Sequence, residues 1–374
     1  GTPDGVPPAP SRTDIAFMHR AHRAAAAVLS SLSLLAAGCA RTSTRSAPAS
    51  PAADRVDVVA HEADRRVDVL VGGQPFTAYI WPTTLKKPVL FPLRTSQGTL
   101  VTRGWPLEPR PGERVDHPHH VGLWLNYESV NGLDFWNNSD AITGERVSKM
   151  GTIVHRSVRS VESGNGRGAL EATADWIDPQ GKVLLHETTR HVFHARGNVR
   201  AIDRITTLTA AGDTVFFADV KDGMLGLRVR RELEQPATTP EVFTDASGQG
   251  TSVPVLNNEG VTGRYRSSEG LEGDAVWGTR GRWTTLSGVV QGEPVTIAIL
   301  DHPGNVGFPT YWHARGYGLF AANPLGQKVF SKGKEELDFR LAPGASTTFR
   351  YRVLIVSGPA TPEAIEREYR DFAR

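Results

Sequence analysis

The sequence predicts an all-β protein, a large antiparallel β-sandwich with one helix at its C-terminus. Three observations predict this class. From Arg55 onward, apolar and polar residues alternate with a period of two, which is the pattern of strands with one buried face. Clusters of Gly, Asn, Asp and Pro separate the alternating runs. A helical period appears only after Thr361.

The strands are predicted in chain order from these alternating runs. Residues 67–71 and 76–80 flank Gly72 and Gly73, a sequence typical of a tight β-hairpin turn. A meander of four strands is predicted at 151–161, 169–177, 183–193 and 199–208. Later strands are predicted at 282–290, 294–300, 317–321, 337–341 and 346–356.

The C-terminal helix has both a start signal and an apolar face. Thr361 can accept a hydrogen bond as the cap, and Pro362 suits the first helical position. Ile365, Tyr369 and Phe372 recur at spacings of four and three. We expect this face to pack on the sheets.

A simple immunoglobulin-like sandwich needs only about 100 residues, and the strand-rich segment 55–374 is much longer than that. The sequence therefore predicts one large sandwich domain at 55–374. The segment 240–262 interrupts the strand rhythm. It is open to two other interpretations, a boundary between two smaller sandwiches or a long loop that lines a site.

The N-terminal segment has the pattern of a secretory signal. Basic residues follow Met18, and the apolar run 24–37 is too short to span a bilayer comfortably. The run ends in small residues before Cys39, the only cysteine, and resembles the lipobox of bacterial lipoproteins. We therefore expect upstream residues and a signal at 1–38, a lipidated Cys39, and a flexible tether at 39–54. A cleaved signal with a free thiol at Cys39 is the alternative.

Composition restricts the partners. The chain has 42 Lys and Arg against 40 Asp and Glu, with no basic run, so nucleic acid is not an expected partner. No later stretch contains 18 consecutive apolar residues, so membrane contact is expected through the lipid anchor only. The sequence thus predicts an extracytoplasmic, membrane-anchored lipoprotein. Motifs of serine hydrolases, P-loop proteins, zincins and dinucleotide-binding proteins are missing from the sequence.

A first polar segment, 116–136, contains three histidines within four residues. If this segment is extended, His117 and His119 share one face and His120 points away from it. Such a pair suits a metal ion or a sugar hydroxyl equally. A solvated or hydrogen-bonded turn is the alternative.

A second segment, 185–194, alternates as a strand. His186, Thr188, Arg190 and His194 share one face. This face is either the solvated side of a sheet or the floor of a polar cleft, and the sequence does not separate the two.

A third segment, 301–326, combines histidines, Pro and Gly with several aromatic residues. Such loops provide faces on which sugar rings stack while imidazoles and carboxylates bind hydroxyls. Loop ends held by aromatic packing are the alternative.

Three runs, at 116–136, 221–229 and 301–326, resemble signatures of the bacterial family labelled PmoA or DUF6807. The resemblance covers roughly 65–355. It implies a sandwich like the galactose-mutarotase supersandwich and a role in carbohydrate chemistry. The label suggests a methane monooxygenase subunit, but that enzyme is an integral membrane complex and no spanning segment follows the signal here. A methane monooxygenase is therefore not the expected function.

The predicted site combines the first and third segments in one cleft. The expected catalytic residues are His117, His119, His313 and Asp301. The expected substrate-binding residues are His302, Arg315, Tyr317, Trp124 and Asn323. The sequence establishes no cofactor and leaves a divalent metal open, with His117 and His119 as its ligands.

Two functions follow from this site. One is an enzyme that hydrolyses, cleaves by elimination or epimerises a glycoside or modified sugar by acid–base chemistry. The other is a carbohydrate-binding lipoprotein without catalysis. An enzyme needs an acid and a base at one bond, which a binding protein does not.

Overall fold

The computed structural model describes residues 54–374, which lie within one compact unit, Ser50–Arg374. The predictions for the signal, Cys39 and most of the tether lie outside the described residues. In chain order the first ten strands are β1 (Arg55–His61), β2 (Arg66–Val71), β3 (Gln74–Ile80), β4 (Val89–Leu90), β5 (Leu123–Tyr127), β6 (Thr152–Glu162), β7 (Gly164–Asn165), β8 (Arg167–Ile177), β9 (Val183–Arg196) and β10 (Val199–Ala210).

The remaining elements are β11 (Val215–Phe217), β12 (Gly223–Arg228), β13 (Arg264–Ser267), β14 (Trp283–Val290), β15 (Glu293–Asp301), β16 (Tyr311–Arg315), β17 (Leu319–Asn323), α1 (Gln327–Phe330), β18 (Phe339–Leu341), β19 (Ser346–Ser357) and α2 (Pro362–Phe372). No helix within 54–374 is both long and apolar enough to cross a membrane.

The strands form two large antiparallel sheets, which confirms the all-β prediction. One sheet has nine strands in the order β16-β17-β12-β5-β4-β3-β2-β1-β7. The other has eight strands in the order β13-β14-β15-β19-β10-β9-β8-β6. The predicted meander is the run β6-β8-β9-β10, and the predicted hairpin turn joins β2 to β3.

The main core lies between the two sheets. Alternate residues of central strands point into it: Leu123 and Leu125 from the nine-stranded sheet, and Val353 and Ile355 from the eight-stranded one. The segment 240–262 does not divide the fold, because strands from both sides of it belong to both sheets.

Each sheet also carries a smaller cluster on its outer face. On the eight-stranded sheet, Ile365 and Tyr369 of α2 pack against apolar side chains of β14, β15 and β19. Thr361 Oγ1 accepts a hydrogen bond from the Ala364 N–H at 3.3 Å, so the predicted cap and helix are confirmed. On the nine-stranded sheet, Trp124, Trp136 and Leu319 form the outer cluster, and the polar residues of interest lie beside it.

Candidate functional site

The candidate site lies on the outer face of the nine-stranded sheet, over β5, β12, β17 and β16. Trp124 of β5 is fully buried and points to this face, since Leu123 and Leu125 point into the main core. Gly226 of β12 lies opposite Trp124, and a Cβ there would be 2.5 Å from the indole. Glycine at this position therefore leaves room for the indole on the outer face.

The loop before β5 is a tight turn, and this corrects the extended geometry expected from the sequence. The His120 N–H donates to the His117 carbonyl oxygen at 2.9 Å, and His117 has a φ of 44°. The rings of His117 and His120 are therefore parallel, with centres 4.7 Å apart. His119 lies edge-on to His117, with ring centres 5.6 Å apart, so His117 and His119 do not share a face.

Asp116 anchors this turn through two buried arginines. Its Oδ1 accepts hydrogen bonds from Arg103 at 2.5 Å and from Arg228 at 2.6 Å. Arg103 also donates to the carbonyl oxygens of His117 and His120. Burial alone would raise the pKa of Asp116, but Arg228, His117 and Arg103 together hold that pKa well below its usual range. Asp116 is thus a permanent carboxylate.

His117 is oriented by the second oxygen of the same carboxylate. Its Nδ1 lies 3.1 Å from Asp116 Oδ2, and 39% of its side chain is exposed. The contact lacks the alignment of a hydrogen bond, but a carboxylate only accepts, so it favours the neutral tautomer with the proton on Nδ1 and the lone pair on Nε2. The geometry therefore presents His117 Nε2 as a base.

Tyr317 brings the third sequence segment against the first. Its ring is almost parallel to that of His117, at 6°, with centres 4.9 Å apart. The Arg228 guanidinium lies 5.0 Å from the centre of the Tyr317 ring. The structure therefore brings His117 and Tyr317 together, although they are 200 positions apart in the sequence.

His313 is also near this group, but both its nitrogens are already in use. Nδ1 accepts a hydrogen bond from the Trp277 indole N–H at 3.1 Å, and Nε2 lies 3.3 Å from Asp222 Oδ1. Burial lowers the pKa of His313 to about 4, although Asp222 opposes this shift. A neutral ring with both nitrogens paired positions Asp222 and leaves no free nitrogen for acid–base chemistry.

Asp222 and its neighbours form a second polar group at the start of β12. Lys221 Nζ donates to Asp222 Oδ2 at 2.8 Å. Burial, with the nearby charges of Asp222 and Asp134, raises the pKa of Glu128 to about 7. Glu128 is therefore a carboxyl group that can hold or release a proton near neutral pH.

The structure corrects the predicted place of Asp301 and His302. Asp301 is fully buried, and its oxygens accept from the backbone N–H of His302 and Thr310 and from the Asn305 amide. His302 lies edge-on to Phe372 of α2, which packs on the eight-stranded sheet. The contacts of both residues are with their own loop, neighbouring strands and α2, because the Asp301 carboxylate organises the turn that leads into β16.

Three predicted binding residues have different environments. Trp124 is fully buried and donates to Asn126, so its ring offers no exposed face. Asn323 is also buried. Its side-chain amide donates to the Val220 carbonyl oxygen, and its Oδ1 accepts from the Gly326 N–H. Arg315 is exposed, and its guanidinium lies 5.5 Å from the centre of the Trp277 ring. Of the three, only Arg315 is accessible to a ligand.

The second sequence segment and the metal prediction can also be located. His186 is exposed on β9, while Glu187 and His191 on the opposite face are buried, so the first face is the solvated side of the sheet. Within residues 54–374, no three His, Cys, Asp or Glu side chains are grouped as metal ligands. In the described residues, His117 and His119 are therefore not part of a group that could hold a metal ion.

Several residues of this site were not predicted as functional. They are Arg103, Asp116, Glu128, Asp222 and Arg228. Two of them lie in the run 221–229, where a charged residue at each end of an apolar strand is the only sequence signal. The pairing of Arg103 and Arg228 on one carboxylate depends on the sheet and has no local signal.

These features define a class: a two-sheet β-sandwich with a histidine–carboxylate–arginine site on one outer face. Within that class, the chain belongs to the family of unknown function DUF6807, whose signature it matches over residues 66–370. This confirms the DUF6807 part of the resemblance found in the sequence. A comparison with proteins of curated function gives no sequence match.

Solved structures with a similar arrangement include enzymes of carbohydrate metabolism at low identity. The galactosidase domain of an α-galactosidase–sucrose kinase is 9% identical, with a TM-score of 0.38, covering 80% of this chain and 42% of its own. The α-galactosidase AgaB of Geobacillus stearothermophilus is 9% identical, with a TM-score of 0.33, and the match covers 81% of this chain and 41% of AgaB. A galactose mutarotase-like protein of Clostridium acetobutylicum is 8% identical, with a TM-score of 0.32, and the match covers 81% of this chain and 98% of that protein. The chain thus spans about two-fifths of the α-galactosidases it matches.

Proposed function

We propose that this protein is a secreted enzyme that cleaves or isomerises a glycoside or modified sugar, with His117 as its base. The observation that carries the proposal is the Asp116–His117 pair. Asp116 Oδ1 is bound by two arginines and Oδ2 faces His117 Nδ1, which leaves Nε2 free on a partly exposed ring. A fixed carboxylate behind an imidazole sets the tautomer of a general base.

The surroundings of His117 suit a sugar. Tyr317 is partly exposed and Trp277 is 37% exposed, so the uncovered part of each ring can contact the apolar side of a pyranose. Lys221 and Arg315 are exposed donors for hydroxyl groups. Glu128 donates its backbone N–H to the Asp222 carbonyl oxygen at 2.9 Å, and burial and Asp222 raise the pKa of its carboxyl group to about 7, so it can exchange a proton near neutral pH.

The test is product analysis with residues 54–374 and a panel of glycans and 3-keto-glycosides. His117→Ala should lower turnover by two to four orders of magnitude, the usual effect of removing a general base. His186→Ala is the matched control, because His186 also faces a carboxylate, Asp175 at 2.7 Å, but on the eight-stranded sheet. Full activity in His117→Ala would refute the proposal. Binding of sugars without turnover would favour a carbohydrate-binding lipoprotein instead.

The location of the protein is a separate part of this proposal. We infer lipidation of Cys39 from the small residues before it and the tether after it. Cys39→Ala should move the protein from the membrane fraction to the soluble fraction of cells. Equal membrane association of the variant and the wild type would contradict the inference.

A further inference from the structure

A cavity of about 420 Å³ opens beside the candidate site, on the side of the 116–120 turn where His119 lies. Its walls include Lys86, Lys87, Leu107, His119, Asn138 and Asp140. The rings of His117 and His119 are 5.6 Å apart, so one monosaccharide is large enough to reach from the candidate base to this cavity.

Lys87 contributes a buried ammonium group to the cavity wall. Only 5% of the residue is exposed, and Nζ donates to the His119 carbonyl oxygen at 2.7 Å. An ammonium has three N–H donors, and the partners of this one within residues 54–374 are the His119 carbonyl oxygen and the Trp124 ring, whose centre is 5.3 Å away. Burial therefore lowers the pKa of Lys87 to about 7, although Asp134 acts in the opposite direction.

His119 contributes a second polar atom without a partner. The residue is 8% exposed, and its Nε2 is buried with no hydrogen bond in the described part of the chain. Burial, reinforced by Lys87, lowers the pKa of His119 to about 2, so the ring is neutral. A neutral imidazole can donate one hydrogen bond from Nε2 to a ligand oxygen.

Positive charge exceeds negative charge around these two residues. Arg103, Arg228 and Lys87 are all buried, and Asp116 is the carboxylate that pairs with both arginines. Lys86, on the same cavity wall, is already paired with Asp140 at 2.5 Å. Buried charges are normally paired, so an anionic group is the expected complement of Lys87.

We propose that this cavity binds the carboxylate of an acidic sugar, with Lys87 and the His119 Nε2–H on its two oxygens. The substrate class would then be uronic acids and glycosides that contain them. This inference rests on the proposed function, since it names the substrate of the same site.

The experiment measures calorimetric binding of five probes, D-glucuronate, D-galacturonate, D-glucose, D-galactose and glucose 6-phosphate, to residues 54–374. A uronate should bind more tightly than its parent sugar. Lys87→Met should weaken uronate binding at least about tenfold, the usual effect of losing a charged hydrogen bond, without changing the affinity for the parent sugar. Lys182→Met is the control, because Lys182 is an exposed lysine paired with Asp213.

Proton uptake gives a second measurement on the unmodified protein. A bound carboxylate raises the pKa of Lys87, so binding at pH 7.5 should take up a fraction of a proton, and affinity should fall as pH rises above 7. Titrations in two buffers of different ionisation enthalpy measure this uptake. It should vanish in Lys87→Met and persist in Lys182→Met.

Four results would overturn the inference, and they separate it from the proposed function. Equal binding of uronate and parent sugar contradicts the acidic-sugar class alone and leaves a sugar enzyme in place. Uronate binding that is unchanged in Lys87→Met contradicts the placement of the sugar carboxylate at Lys87. Tighter binding of glucose 6-phosphate than of either uronate contradicts a carboxylate as the anionic group that the cavity binds. Binding of no sugar contradicts both the inference and the function beneath it.

Discussion

The two histidines near Tyr317 have opposite roles although the sequence makes them look alike. His117 has one nitrogen beside Asp116 and one free, whereas His313 has Trp277 on one nitrogen and Asp222 on the other. A paired, buried imidazole stabilises the fold, and a half-paired, exposed imidazole is available for chemistry.

His313→Ala should therefore destabilise the protein by about 2–4 kcal/mol, because it leaves a cavity and the unpaired Trp277 N–H. His117→Ala should change the free energy of unfolding by less than about 1 kcal/mol, since that ring is partly exposed. Urea unfolding of both variants measures the difference. Equal destabilisation would show that His117 is also a structural residue.

Glu128 depends on a charge that Asp222 supplies. Asp222→Asn removes that charge, so the pKa of Glu128 should fall from about 7 toward its ordinary value, while the larger effect of burial remains. Carbon-detected NMR titration of the Glu128 carboxyl measures the shift. An unchanged pKa would mean that burial alone accounts for it.

At the scale of elements, the sequence predicted β9 and β10 but missed β5 and β12. β9 alternates between buried and exposed positions over 185–189, and β10 alternates between buried and half-buried positions over 205–210, so their period is visible. β5 and β12 are buried at every position, because the main core covers one face and the outer cluster covers the other. Strands buried on both faces lose the alternation by which they are recognised.

The site could be predicted only in part for the same reason. The likeness of the two polar loops indicated that His117 and Tyr317 belong together, and the structure brings them into contact. The omission of Arg228 follows from the unrecognised strand β12. Without β12, nothing in the sequence aligns Arg228 with Asp116, 112 positions before it.

Gly226 of β12 gives a direct test of this arrangement. Gly226→Ala adds a Cβ 2.5 Å from the Trp124 indole, so the protein should lose about 1–3 kcal/mol of stability through overpacking. Gly212→Ala is the matched control, because a Cβ there meets nothing within 4 Å. Chemical denaturation of the two variants should separate them. An unchanged stability in Gly226→Ala would mean that Trp124 moves freely, contrary to its packing.

At the scale of the whole molecule, the two halves of the chain are interleaved. The eight-stranded sheet joins β13, β14, β15 and β19 to strands from the first half, and the nine-stranded sheet joins β16 and β17 to β12. A single core with side chains from both halves should unfold as one unit.

A protease site inserted at 251–252, in the exposed part of the 240–262 segment, tests this. After cleavage the two fragments should elute together from a sizing column and melt in one transition. Separation of the fragments under native conditions would instead support two smaller sandwiches that meet at the segment 240–262.

The two arginines that hold Asp116 also set the point in synthesis at which this site can assemble. One arginine precedes the carboxylate by 13 positions, the other follows it by 112, and Tyr317 comes later still. A chain that has emerged only as far as residue 227 therefore lacks Arg228, and its Asp116 has one arginine instead of two. The contacts around His117 are consequently complete only after residue 317 has been synthesised, so a shorter product of translation lacks them.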